Sequence, residues 1–170
     1  MRIEFPFYQQ LDEMDCGPTC LRMVAKYYGR LYSLQKLRDK CSITREGVSI
    51  LGISDAAESI GFRTLGIKIP FEKLVQEVSL PCIVHWNQKH FVVVYKISKT
   101  RISVADPAAG LIDYSKDEFV KGWIFSKKNS SENGVALLLE PTPAFFEAEV
   151  ADSESAKTSL GNLFNYLQSY

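Results

Sequence analysis

Helical spacing fills the first third of the chain and strand alternation most of the remainder, and this order constrains the fold more than any other feature. Leu21, Val24 and Tyr28 recur at helical intervals after Cys16-Gly17-Pro18-Thr19, where a proline in the first turn marks a start and Gly29 a stop. Residues 34–41 and 50–59 predict two more helices, the second closed by Gly61. The pattern then changes. Residues 63–69 read as a strand, 70–78 as a short helix, and 82–86, 90–97, 101–105 and 134–139 as further strands, with 134–139 completing the set. Helices first and hairpin-linked strands afterwards define an α+β chain, its N-terminal helical part packed on an antiparallel sheet, and not the alternation of a parallel sheet.

The 170 residues are 46% hydrophobic and carry 20 basic and 20 acidic side chains, which suits one globular core and leaves no basic excess for neutralising phosphates. A nucleic-acid partner is therefore not expected. No apolar run reaches the ~18 residues of a membrane span, and Met1-Arg2-Ile3-Glu4 opens no signal peptide. Cys16, Cys20, Cys41 and Cys82 are too few for a disulfide scaffold and read as reduced thiols of a cytosolic setting. Near its end the chain changes character. Residues 1–141 hold 19 basic and 16 acidic side chains and residues 142–170 one Lys and four acids, so the net charge moves from +3 to −3. Pro141-Thr142-Pro143 is expected to stop any continuing strand or helix, and residues 147–159 have the acidic, Ser/Ala-rich composition of a linker. Leu160, Leu163, Phe164 and Leu167 then follow amphipathic spacing. The expected division is one domain over residues 1–145 and an acidic linker with an amphipathic segment over 146–170, as in a piece of a longer protein.

A cysteine acts as a nucleophile when it is a thiolate, and the free N–H groups and positive dipole end of a helix N-terminus favour that form. Cys16 is expected at such a place. Gly17 would let a substrate backbone approach closely, and Pro18 gives up no hydrogen bond in a first turn. Cys20, Cys41 and Cys82 read as small buried side chains; a Cys16–Cys20 metal or redox pair lacks the usual CxxC spacing. Gln10, six residues before Cys16 in an extended stretch, is placed to return its amide beside the Cys16 N–H, where two donors would hold an oxyanion.

His85 and His90 are the two histidines, so a general base must come from them. His90 opens an apolar, β-branched strand that would fix it on a rigid support, and Asp106, preceding Pro107, is pushed to a strand end. A hairpin centred on Lys99 would pair 92 with 106 and 90 with 108, which puts His90 and Asp106 on one face, ~7–8 Å apart at the backbone. Shifting the turn by half a residue would send them to opposite faces. Each residue alone has a plainer explanation: a buried thiol, an ordinary imidazole, a turn-forming aspartate, an exposed glutamine.

The stretch Gln10-Leu11-Asp12-Glu13-Met14-Asp15-Cys16-Gly17-Pro18-Thr19-Cys20-Leu21-Arg22-Met23, followed by Lys26-Tyr27-Tyr28-Gly29, resembles the nucleophile motif of the family C39 cysteine peptidases. Pro81-Cys82-Ile83-Val84-His85-Trp86 and His90-Phe91-Val92-Val93 resemble their histidine motif, and Val104-Ala105-Asp106-Pro107-Ala108-Ala109-Gly110 their aspartate motif. Order and separations agree from residue 5 to residue 145. The resemblance implies a papain-like fold with Cys16 as nucleophile, His90 as base, Asp106 as its orienter and Gln10 as oxyanion donor; His85 receives no role. It also implies cleavage of leader peptides after a double-glycine-type pair, in the N-terminal domain of a bacterial ABC transporter that exports bacteriocins and related peptides. No metal or cofactor is expected in this domain, and ATP only in a nucleotide-binding domain further along the same chain, beyond a transmembrane domain. The leader peptide is the expected partner, the full transporter a dimer, and the location the cytoplasmic face of the plasma membrane. A catalytically silent relative that only binds its cargo, and an enzyme passing the acyl group to an amine, are the competing readings.

Overall fold

The computed structural model describes residues 4–124 and 132–148. After a 3₁₀ turn at Glu13–Asp15 come three helices, α1 (Cys16–Tyr27), α2 (Leu34–Cys41) and α3 (Ile50–Ser59). Then follow β1 (Phe62–Pro70), α4 (Phe71–Glu77), β2 (Cys82–Trp86), β3 (His90–Ile97), β4 (Ile102–Asp106), β5 (Gly110–Tyr114), α5 (Lys116–Trp123), β6 (Asn133–Pro141) and α6 (Pro143–Glu147). The strands form one antiparallel sheet in the order β1-β6-β2-β3-β4-β5. The α+β order read from the sequence is the order observed.

The sheet is covered on both faces, which explains why Phe91-Val92-Val93-Val94 is a continuous apolar run and not an alternating one. Ile83, Phe91, Val93, Ala105 and Leu137 join Leu21, Val24, Leu37, Ile53 and Phe145 in one core. Their neighbours Cys82, Val84, Val92, Val94 and Val104 join Leu74, Phe119 and Trp123 in the other. Thus α1 to α3 cover one face, and α4 and α5 the opposite one. β5, α5 and α6 had no counterpart in the sequence reading. β5 pairs with β4, and α5 opens on a capping box in which Ser115 accepts from the Glu118 N–H while Glu118 accepts from the Ser115 N–H.

The proline pair near the end does not stop the structure as expected. β6 runs through Pro141, opposite Phe62, and Pro143 starts α6, because a first-turn proline lacks only an N–H that the helix would leave unpaired. Phe145 is fully buried against the first core. Thr142 donates through N–H (3.1 Å) and Oγ1 (2.6 Å) to the Gly61 carbonyl. The approach at Gly61 is so close that a Cβ there would lie 2.4 Å from the Phe145 backbone, and its φ of +102° independently favours glycine. Arg30, just past α1, donates from Nη1 to the Phe146 carbonyl at 3.0 Å and from Nη2 to that of Ala148. The packed body therefore continues three residues past the expected boundary at 145; the rest of the expected linker and amphipathic segment lies outside the described residues.

Candidate active site

The entry to α1 is built by local hydrogen bonds. The Asp12 carboxylate accepts from the Met14 N–H at 2.9 Å, the Asp15 N–H bonds the Asp12 carbonyl at 3.0 Å, and Cys16 follows as the first residue of the helix. Cys16 is thus at the helix N-terminus, as expected, and 5% exposed. Gly17 has another use than the one expected. A Cβ there would lie 2.3 Å from Val48 Cγ1 and 2.9 Å from Ile53, so its bareness lets α1 close against the protein's own interior, and a substrate backbone would not meet it there.

His90 begins β3 directly after the β2–β3 turn, where Asn87 and Gln88 take positive φ values of 47° and 62° and Trp86 pairs with His90. Opposite, β4 ends on Asp106. The β3–β4 register has two parts. Next to the turn Ile97 pairs with Ile102 and Lys96 with Ser103, half a residue away from the expected centre. A bulge between Val94 and Lys96 then shifts the pairing to Val94 with Val104 and Val93 with Ala105, which carried one step further sets Val92 opposite Asp106. The bulge restores the face-sharing that the shifted turn would have destroyed.

The side chains meet accordingly. His90 Nε2 and Asp106 Oδ1 are 2.7 Å apart, and the same oxygen accepts from the Ala108 N–H at 2.8 Å, so Asp106 is a turn-forming aspartate as well as a partner for the imidazole. The Cys16 side chain also acts on this ring, and with Nε2 taken by Asp106, Nδ1 is the ring nitrogen that remains for it. Burial pulls the His90 pKa down, but the hydrogen bonds and charges of Asp106 and Cys16 outweigh it and raise the pKa to about 9. Burial likewise works against charge on Asp106, and the bonds from His90 and the Ala108 N–H still bring its pKa below the usual carboxylate value. The extended segment before α1 is tied to the same corner, since the Gln10 N–H bonds the Pro107 carbonyl at 2.8 Å. The Gln10 Oε1 is buried and unpaired.

Gln10, Cys16, His90 and Asp106 line one cleft of about 450 Å³ together with Met14, Gly47, Val48, Trp86, Asn87 and Lys89. A second groove, about 510 Å³, lies among Tyr27, Tyr28, Leu65, Leu80 and Leu139, apart from these four residues. The remaining cysteines are buried and free. Cys20 donates to the Phe91 carbonyl at 3.3 Å, and burial, with the charges of Cys16 and Asp106, pushes its thiol pKa well up. Burial raises Cys41 and Cys82 to about 12. His85 stacks on Phe91 at 4.9 Å, and burial followed by the charge of His90 lowers its pKa. Among the described residues no group of three or more His, Cys, Asp or Glu side chains is arranged to hold a metal, and no helix is long and apolar enough to cross a membrane. Sequence reasoning missed Asp15, buried beside Cys16, and its partner Arg38. Asp15 had the signal of adjacency to the thiol; no spacing rule would have found Arg38.

A thiol on a helix N-terminus, sharing a cleft with an imidazole that a carboxylate braces, is the equipment of a cysteine-dependent acyl hydrolase. Residues 4–132 match the Peptidase C39 family, and the chain belongs to that family. It is 34% identical over 165 residues to the lactococcin-G-processing and transport ATP-binding protein of Lactococcus lactis subsp. lactis, covering 94% of this chain and 21% of that protein. It is 30% identical over 162 residues to the colicin V secretion/processing ATP-binding protein of Escherichia coli, covering 94% and 21%. The chain thus spans about a fifth of the length of these relatives. Among solved structures it is similar to a double glycine motif protease from an AMS/PCAT transporter in complex with the leader peptide, with TM-score 0.74, 32% identity, and 83% and 94% of the two chains covered. It is also similar to the peptidase domain of Streptococcus ComA, a bi-functional ABC transporter involved in a quorum sensing pathway, with TM-score 0.72, 30% identity, and 82% and 100% covered.

Proposed function

We propose that this chain is the peptidase domain of a bacterial peptide-exporting ABC transporter, and that it cleaves leader peptides after a double-glycine-type pair with Cys16 as nucleophile, His90 as base, Asp106 as orienter and Gln10 as oxyanion donor. The observation that carries the reading is that one imidazole, bonded to Asp106 at 2.7 Å, lines the same cleft as the Cys16 thiol and is acted on by it. His90 takes the Cys16 proton, and the thiolate attacks the carbonyl carbon of the second small residue. The Gln10 amide and the Cys16 N–H hold the resulting oxyanion. His90 then protonates the leaving amine, and water activated by the same imidazole hydrolyses the thioester. The preference for residues without side chains would follow if Met14, Val48 and Trp86, which line the cleft, exclude larger ones by overlap. These steps draw on side chains, the Cys16 backbone N–H and water. ATP binding, membrane spanning and dimerisation belong to further domains of the whole transporter, with this domain at the cytoplasmic face of the plasma membrane.

Incubation with a leader peptide containing a Gly-Gly junction tests the reading. Hydrolysis directly after the pair is the expected result. Binding without cleavage would establish a silent cargo-holding domain, and a conjugated product with an added amine would establish acyl transfer; either overturns it.

A further inference from the structure

The Asp15 carboxylate takes no part in the steps above, although it neighbours Cys16 in the chain and is 1% exposed. Its Oδ1 accepts from Arg38 Nε at 2.6 Å, and its Oδ2 accepts from Arg38 Nη2 and from the Asp12 N–H at 3.1 Å. This is a forked pair of the strong, directional kind, with Arg38 supplied by α2. Asp15 stands at the N-cap of α1, where an aspartate ordinarily bonds the first-turn N–H groups, yet it makes no such bond. Its carboxylate is turned to Arg38 and caps none of the first-turn amides of α1.

An uncompensated carboxylate one residue from a thiol would oppose thiolate formation, and burial would strengthen that opposition. We propose that Arg38 is a positioning residue for Cys16: through its fork on Asp15 it keeps that carboxylate from capping α1 and cancels a buried negative charge beside the nucleophile. The proposal rests on Cys16 being the nucleophile. The other charges nearby are Asp12 and Asp39 around Arg38, and His90 and Asp106 facing Cys16, with Glu13, Glu46 and Lys89 on the cleft walls. None of these replaces Arg38 at the Asp15 carboxylate.

The test is the rate of Cys16 alkylation by iodoacetamide across pH, with the modified site mapped by mass spectrometry and the fold checked by circular dichroism. Arg38→Met is expected to slow alkylation at pH 7 about tenfold and to displace the pH profile upward by about one unit. Asp15→Asn, which removes the carboxylate, is expected to react no more slowly than the unsubstituted protein. The double variant is expected to return to within about threefold of it, because the two charges vanish together. An unchanged rate in Arg38→Met, equal slowing in both single variants, or a double variant slower than Arg38→Met would make the pair a mere structural staple and overturn the proposal. Should Arg38→Met fail to fold, Asp15→Asn decides alone: an undiminished rate supports the proposal and a fall overturns it. Alkylation reads the thiol directly, so failure of peptide cleavage with the expected order of alkylation rates counts against the peptidase reading only.

Discussion

His90 reaches Asp106 through Nε2 at 2.7 Å, which leaves the opposite side of the ring to Cys16. The carboxylate therefore selects the tautomer and holds the plane of the imidazole. Asp106→Asn keeps the shape and loses the charge, so turnover on a Gly-Gly leader peptide should fall by about 10²–10⁴-fold while leader affinity changes little. A variant with undiminished kcat would remove Asp106 from the mechanism.

Cys16→Ala removes the sulfur proposed to attack and nothing else of size. Cleavage should be abolished, and leader binding, measured by calorimetry or fluorescence anisotropy, should persist. Residual cleavage at the same junction would mean that another group attacks.

The pH behaviour is set by His90. Its pKa in the folded protein, about 9, lies above the 6.5 of a free imidazole because its bonds to Asp106 and Cys16 outweigh burial. The resulting stabilisation is fully present below pH 6.5 and fades as pH rises through about 9. The gap in Tm between the unsubstituted protein and Asp106→Asn should accordingly be larger at pH 6 than at pH 10. Activity should lose its alkaline limb in the same range, as the imidazolium gives up its proton. A Tm gap that grows with pH would contradict the assigned direction.

Gly17→Ala tests the packing of α1. The added methyl would lie 2.3 Å from Val48 Cγ1, inside any acceptable contact, so stability should drop by about 1–3 kcal/mol in urea unfolding. Because Val48 also walls the cleft, turnover should fall as well. A fully stable variant would show that α1 and the Val48 segment separate easily.

Phe145→Ala tests where the packed body ends. The side chain is fully buried among Tyr28, Phe62 and the end of α3, and its removal should cost about 3–5 kcal/mol. Little change would place α6 outside the cooperative unit.

Much of this was legible in the sequence. The helices at Leu34–Cys41 and Ile50–Ser59 were read at their observed limits, the second from its closing glycine; Ser33 and Ser49 prove to cap them. β5 and α5 were missed although Ser115 and Glu118 spell a capping box; five residues of strand and eight of helix between loops offer too little periodicity to stand out. α6 was missed because two prolines read as a stop, whereas the second only requires a helix to begin there. The meeting of His90 with Asp106 was anticipated from a symmetric hairpin, yet it arises from an asymmetric one. Arg38 was invisible, since its value depends on α2 packing beside α1 and on no local pattern.

The bulge in β3 decides where the reactive corner tolerates a change of length. Losing the one extra residue at the bulge would leave Ile97 opposite Ile102 and Val94 opposite Val104, with His90 and Asp106 still on one side of the ribbon. Losing one residue between Val94 and His90 would instead carry His90 across to the far side. Between the bulge and the imidazole, chain length is thus permitted to change only in even steps, a restriction felt by chemistry and folding at once.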